Sequence, residues 1–179
     1  MSSSCSAIAR QDRILNPDKV SDLLAAERDI EARLEGQPID FASNRAISNI
    51  YRAAAAVRRR AEQGALADFG LSWGGFTILW VLWIWGEMPT ARLAQECDLA
   101  KGTLTGMLST LEKNGLVVRT RCRGDKRRVL VRASELGCKT INELFPRFNS
   151  FEVDMVDGLT PDESTELSRL LRIVINNAG

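Results

Sequence analysis

Between residues 101 and 139 the chain carries ten Lys/Arg against three Asp/Glu. The flanks are acidic: residues 1–44 hold five basic against eight acidic groups, and residues 140–179 hold three against seven. The net charge of +1 therefore hides a basic block between acidic ends, an asymmetry suited to a polyanion such as nucleic acid. Arg121, Arg123, Lys126, Arg127 and Arg128 crowd one short stretch of the block. Lys101, Thr105 and Ser109 recur every four residues, the spacing of one helix face. Ammonium, guanidinium and hydroxyl groups are donors for phosphate oxygens and base edges. Catalytic equipment is missing by comparison. There is no histidine, which removes the commonest general base and metal ligand, and no Gly-rich phosphate loop or nucleophile elbow. The cysteines at 5, 97, 122 and 138 show no C-x-x-C spacing, so no zinc site is expected. We expect neither an enzyme nor a cofactor. One redox alternative attaches to Cys122, which sits between Arg121 and Arg123, because neighbouring cations lower a thiol's pKa.

The elements that would hold these groups lie within residues 90–134. A short helix is expected with Thr90 as its cap, and a second over residues 101–114 commits Leu104, Met107, Leu108 and Leu111 to a core face. The strand-like runs LVVRTR and RRVLVRA follow, joined by the basic RGDK loop. Helix, turn, helix and a basic two-stranded wing imply a winged helix-turn-helix, a DNA-reading module.

Around it the chain reads as mainly α. Residues 1–15 read as a disordered tail without the apolar run of a secretion signal, and scattered cysteines fit a reducing cytoplasm. Residues 16–36 read as an accessory helix with Asn16 as cap and Pro17 at its first position. Residues 40–63 predict a helix whose stripe of Ile47, Ile50, Tyr51, Ala54 and Val57 should be buried. Residues 71–86 carry no charge and hold four tryptophans, at 73, 80, 83 and 85. Sixteen residues fall short of the roughly 20 that span a bilayer, so no membrane association is expected and a buried helix is. Residues 134–156 predict a long helix with a kink or break at Pro146. Thr160-Pro161-Asp162-Glu163 is a capping box opening a last helix with Leu167, Leu170, Leu171 and Val174 on one face. The expected organisation is a winged domain over residues 71–133 and a helical dimerisation region over residues 40–70 and 134–179. The apolar faces exceed what one small winged motif can cover.

Over residues 41–176 the chain resembles the MarR-type transcriptional regulators. GDKRRVLVRAS resembles that family's D-x-R followed by five residues and Leu-Thr: Asp125 and Arg127 fit, while Ala133-Ser134 replace Leu-Thr. The L-S-x-x-x-F-x-I-L run from residue 71 resembles the helix before the motif. The T-L-T-x-x-L-x-x-L-E-x-x-G-L-V run over residues 103–117 resembles the recognition helix and the turn into the wing. The resemblance implies a symmetric dimer paired through its terminal helices. It also implies a small-molecule effector site, often for aromatic or phenolic acids, and Tyr51, Trp73 and Trp80 are candidates for its wall. Two departures stand out. Ala100 precedes the recognition helix where Ser or Thr is usual, forgoing a cap worth ~1 kcal/mol. The helix at 16–34 resembles an addition found in a urate-responsive branch but lacks that branch's tryptophan, so urate is not carried over.

The sequence therefore leads us to expect a ligand-responsive homodimeric repressor of transcription, bound to double-stranded DNA with a pseudo-palindromic site. Thr90, Lys101, Thr103, Thr105, Ser109, Arg123, Lys126 and Arg127 are the candidate DNA contacts, with Asp125 orienting the wing. The alternatives are a thiol-responsive regulator of the same fold and a dimeric interaction protein that has lost DNA binding.

Overall fold

The computed structural model describes residues 24–121 and 129–179. Their order is α1 (Ala25–Arg33), α2 (Phe41–Gln63), a 3-10 turn (Ala67–Phe69), α3 (Trp73–Trp85), β1 (Met88–Pro89), α4 (Thr90–Glu96), α5 (Lys101–Lys113), β2 (Val117–Arg121), β3 (Val129–Ala133), α6 (Glu135–Met155) and α7 (Pro161–Ala178). The architecture is mainly helical with one small antiparallel sheet, as the sequence led us to expect. No helix among the described residues is long and apolar enough to cross a membrane.

The chain divides into two compact units at Asn49 and Ile50. In the first, Glu27 is buried and its carboxylate accepts from the Leu24 amide at 2.6 Å and from Asn49 Nδ2 at 2.7 Å. Arg45 pairs with Glu31. Asp40 caps α2, accepting from Ser43 Oγ at 2.7 Å and from the Ser43 and Ala42 amides at 3.2 and 2.9 Å; the Ser43 hydroxyl first, and then the amides, hold its carboxyl below the usual carboxylate range. The accessory helix expected from Asn16 begins later: Leu24 has the extended ψ of 149° and stands as N-cap of a helix that opens at Ala25, while residues 16–23 and the expected tail lie outside the described residues.

The second unit is built on α3. Ile78, Leu79, Val81 and Leu82 are almost wholly buried, and Ser72 caps the helix by accepting from the Gly75 amide at 3.2 Å. A helix with that much apolar surface stays in water only if other elements cover it. Leu93 of α4, Leu104, Leu108 and Leu111 of α5, Val131 of β3, and Ile141 and Leu144 of α6 supply that cover. The sheet runs β1-β3-β2, with Met88 opposite Val131 and Arg119 opposite Val131 on its other side. The expected two-stranded wing thus gains a third strand, formed by the turn residues before α4.

Three expectations need correction. The α2 stripe is not buried: Tyr51 is 73% exposed and Ile47 is also exposed. Periodicity marks an apolar face without saying what covers it. Of the kink or break expected at Pro146, the break is absent: α6 continues through it. Pro146 lies on the solvent side, where water can serve the carbonyl its missing N–H frees, while Leu144 and Phe148 anchor the opposite face in the core. Thr90 does not cap α4 but is its first residue, after Pro89 in extended conformation. The capping box at α7 is present: Thr160 Oγ1 accepts from the Glu163 amide at 3.2 Å, and the Thr160 amide donates to Glu163 Oε2 at 2.8 Å.

Candidate nucleic-acid interface

Helices α4 and α5 are joined by Cys97-Asp98-Leu99-Ala100, with Asp98 at φ +49°, a conformation aspartate tolerates better than most residues. The Leu99 amide returns to the Ala94 carbonyl at 2.9 Å and closes the turn. Ala100 offers α5 no side-chain cap, so the first amides of that helix point outward without a protein partner from that residue.

With Leu104, Leu108 and Leu111 buried, the opposite face of α5 is set by 3.6-residue periodicity. Lys101, Thr103, Thr105 and Ser109 are all exposed there; Thr90 is half-buried at the start of α4. Thr105 Oγ1 donates to the Lys101 carbonyl at 2.8 Å and Ser109 Oγ to the Thr105 carbonyl at 3.0 Å. With their protons so used, both hydroxyls present lone pairs outward, the state that accepts from adenine or cytosine amino groups. Gly102 and Gly106 share this exposed side, and a Cβ added at either would meet nothing within 4 Å. Packing within the protomer therefore does not explain two glycines in a helix, each costing about 1 kcal/mol against alanine.

The wing joins α5 through Gly115 at φ +74°. Arg119 of β2 donates from Nε to Glu112 Oε2 of α5 at 2.9 Å, and its Nη2 donates to the same oxygen. This pairing lowers the Glu112 carboxyl from its ordinary range. Arg121 and Arg132 are exposed on the same sheet. Arg123, Lys126, Arg127, Asp125 and Cys122 lie outside the described residues. Sequence reasoning missed the Glu112–Arg119 pair. Opposite charges seven apart were visible, but only the strand register shows that Arg119 turns towards α5.

Two of the expected effector-wall residues have aromatic neighbours. Trp73 packs against Phe76 and Phe148, with ring centroids 6.3 and 6.0 Å away, while Trp80 stacks edge-on with Trp85 at 5.4 Å. Among the described residues no ring contact joins Tyr51 to either tryptophan. A cleft between α3 and α5, lined by Leu71, Ser72, Gly75, Met107 and Thr110 among others, holds about 110 Å³, below the roughly 300–1,000 Å³ usual for small-molecule sites. Cys97 is half-buried, and burial together with the Glu96 charge pushes its thiol up to about 11. At neutral pH it stays protonated and a poor nucleophile.

The model of the MarR family matches residues 71–129, the stretch from α3 to the start of β3. The HTH-type transcriptional regulator YwaE of Bacillus subtilis is 34% identical over 154 residues, covering 84% of this chain and 90% of that one. Among solved structures, the MarR-family regulator Sco3205 of Streptomyces coelicolor, in complex with DNA, superposes with a TM-score of 0.72. It is 22% identical, over 80% of this chain and 91% of that one. The organohalide-sensing regulator RdhR, with 2,4-dichlorophenol bound, also gives 0.72 at 24% identity, over 80% of this chain and 84% of that one.

Proposed function

Because this chain belongs to the MarR family of DNA-binding transcriptional regulators, we propose that it is a cytoplasmic homodimer that represses transcription and releases its site on binding a small aromatic or phenolic effector. The observation that carries the reading is α5. One face is locked into the core, while the other is exposed, uncapped, polar and relieved of side chains at Gly102 and Gly106. In this reading α5 enters the major groove, with Lys101, Thr103, Thr105 and Ser109 towards bases and phosphates and Thr90 at the groove edge. Arg123, Lys126 and Arg127 meet the backbone or minor groove, and Asp125 orients a neighbouring arginine. Two copies on a two-fold axis ask for a pseudo-palindromic site. Support for an effector is the RdhR regulator's 2,4-dichlorophenol, a phenolic ligand of the class that Tyr51, Trp73 and Trp80 would suit. Tyr51, exposed in one protomer, can wall such a site only if a second protomer or a ligand covers it.

The test is selection of duplexes from a random-sequence library by the full chain, followed by titration of the enriched duplex. Enrichment of a two-fold symmetric sequence, released by a phenolic acid found in a thermal-shift screen, is the expected result. Absence of any enriched sequence would remove the reading.

Two substitutions probe the interface. Gly106→Ala should raise stability by about 1 kcal/mol, since alanine favours the helix and nothing in the protomer obstructs it. It should nevertheless weaken binding to the selected duplex by roughly tenfold, the order of one mismatched base pair, because the added methyl occupies the groove-facing surface. Stability up and affinity unchanged would place Gly106 away from DNA. Arg127→Ala should lower the slope of log affinity against log salt by about 0.9, the value for one phosphate neutralised by a cation. A titration showing an unaltered slope would take Arg127 off the backbone.

A further inference from the structure

The Glu112–Arg119 pair stands where the core ends and the exposed surface begins. Alternation along β2 puts buried Val117, half-buried Arg119 and exposed Arg121 on one side of the sheet. Register sets Arg119 opposite the fully buried Val131. That side faces α5, and Glu112 lies in its last turn. Between the two elements the backbone turns at Gly115. The core holds the base of the sheet through Leu116 and Val117, but beyond Val117 the only ion pair between β2 and α5 among the described residues is this one.

Both partners are partly exposed, at 28% for Arg119 and 39% for Glu112, so the pair adds little to folding. Its leverage is geometric. Arg121 lies two residues, roughly 7 Å, further out along the strand, and a small tilt about the Gly115 turn is magnified with distance from it. Recognition by helix and wing together requires both to be held within about half an ångström of their bound positions.

We propose that Glu112 and Arg119 are positioning residues that fix the angle of the wing to the recognition helix, so that Arg119 serves as a strut and not as a phosphate ligand. The proposal rests on the DNA-binding reading above, and the two make different demands on Glu112. Removing a carboxylate beside a polyanion should, on charge alone, strengthen binding. If Arg119 were a phosphate ligand held back by Glu112, releasing it would strengthen binding further. A strut gives the opposite sign.

The experiment titrates the duplex selected by the wild-type chain, across a series of KCl concentrations, with four proteins: wild type, Glu112→Gln, Arg119→Gln and the exchanged pair Glu112→Arg with Arg119→Glu. Thermal unfolding is recorded for each. Each single variant should bind roughly tenfold more weakly, the size of effect that one misplaced base-reading or phosphate-binding side chain produces. Midpoints should stay within about 2 °C of wild type, as for a partly exposed pair. The exchanged pair should recover affinity to within about threefold. Stronger binding by Glu112→Gln, or no recovery in the exchanged pair, would overturn the strut. A fall in midpoint that accounts for the weaker binding would also overturn it, leaving a merely structural pair. A wild type that enriches no sequence would overturn the DNA-binding reading and the strut with it.

Discussion

Gly137→Ala should unfold this protein at a midpoint roughly 5–15 °C lower, from a loss of about 2–4 kcal/mol. Alanine is ordinarily the better helix former by about 1 kcal/mol, and Gly137 lies in the first turn of α6 with an ordinary helical backbone, so local propensity predicts the reverse. The environment decides. A Cβ built on Gly137 falls deep inside contact with the Leu116 carbonyl oxygen and lies 3.4 Å from Leu79 Cδ2. That carbonyl cannot retreat, because it accepts the Ser134 amide at 2.9 Å. Ser134 is fixed in turn, its Oγ accepting from the Gly137 amide at 2.9 Å and donating to the Gly115 carbonyl at 2.5 Å. Relief would require α6 to move away from the wing, exposing Ile141 and Leu144, both wholly buried. Calorimetry on Gly137→Ala and Gly106→Ala side by side isolates the cause, since the same methyl should lower one midpoint and raise the other. Equal midpoints for the two variants would show that α6 and the wing are not packed as described.

The second large effect concerns assembly. Helix α7 has eighteen residues and none is buried in the protomer; Leu170 and Ile173 are each 46% exposed. Val153, Val156 and Leu159, at and after the end of α6, are exposed as well. Helices in proteins are stabilised mostly by packing of an apolar face, and covering a fully exposed Leu or Ile contributes about 1.5–3 kcal/mol, roughly half that for one already half-covered. The proposed occupant is the same surface of a second copy, an isologous interface. Leu170→Asp should therefore halve the mass seen by light scattering to the 19.8 kDa of one chain. It should also weaken binding to the selected duplex by about 100-fold or more, because two half-sites no longer bind as one ligand. A variant that keeps the wild-type mass would remove α7 from the interface. One that becomes monomeric yet binds as tightly would show that pairing contributes nothing to recognition.

Much of this architecture was legible in the sequence because its signals are local. The Thr160–Glu163 capping box, the leucine spacing of α5 and the uncapped Ala100 each depend on residues within one turn of one another. The alternating runs of β2 and β3 depend on period-two burial. What escaped were relations between elements. Tyr51 and Ile47 read as core because an apolar stripe looks the same whether a neighbouring helix or a second subunit covers it. Pro146 read as a kink or break because proline's cost is local, whereas the burial of Leu144 and Phe148 that carries the helix on past it is not. Met88-Pro89 is too short to carry a period, and only its pairing with β3 makes it a strand. The ring contacts of Trp73 with Phe76 and Phe148, and of Trp80 with Trp85, carry no local signal. Ser134 is the converse case. It stands where the family usually has threonine, and its hydroxyl caps α6 by accepting from the Gly137 amide at 2.9 Å, as serine does at least as well as threonine.

The most direct measurement is a titration of the full chain against its selected duplex and a scrambled duplex of the same composition, across a range of salt, with stoichiometry read from the saturation point. The expected result is two protomers per duplex, affinity that falls steeply with salt on both, and a preference for the selected duplex of about 1,000-fold or more. Equal affinity for the two duplexes would contradict DNA reading by α5, since the basic wing would then be acting alone.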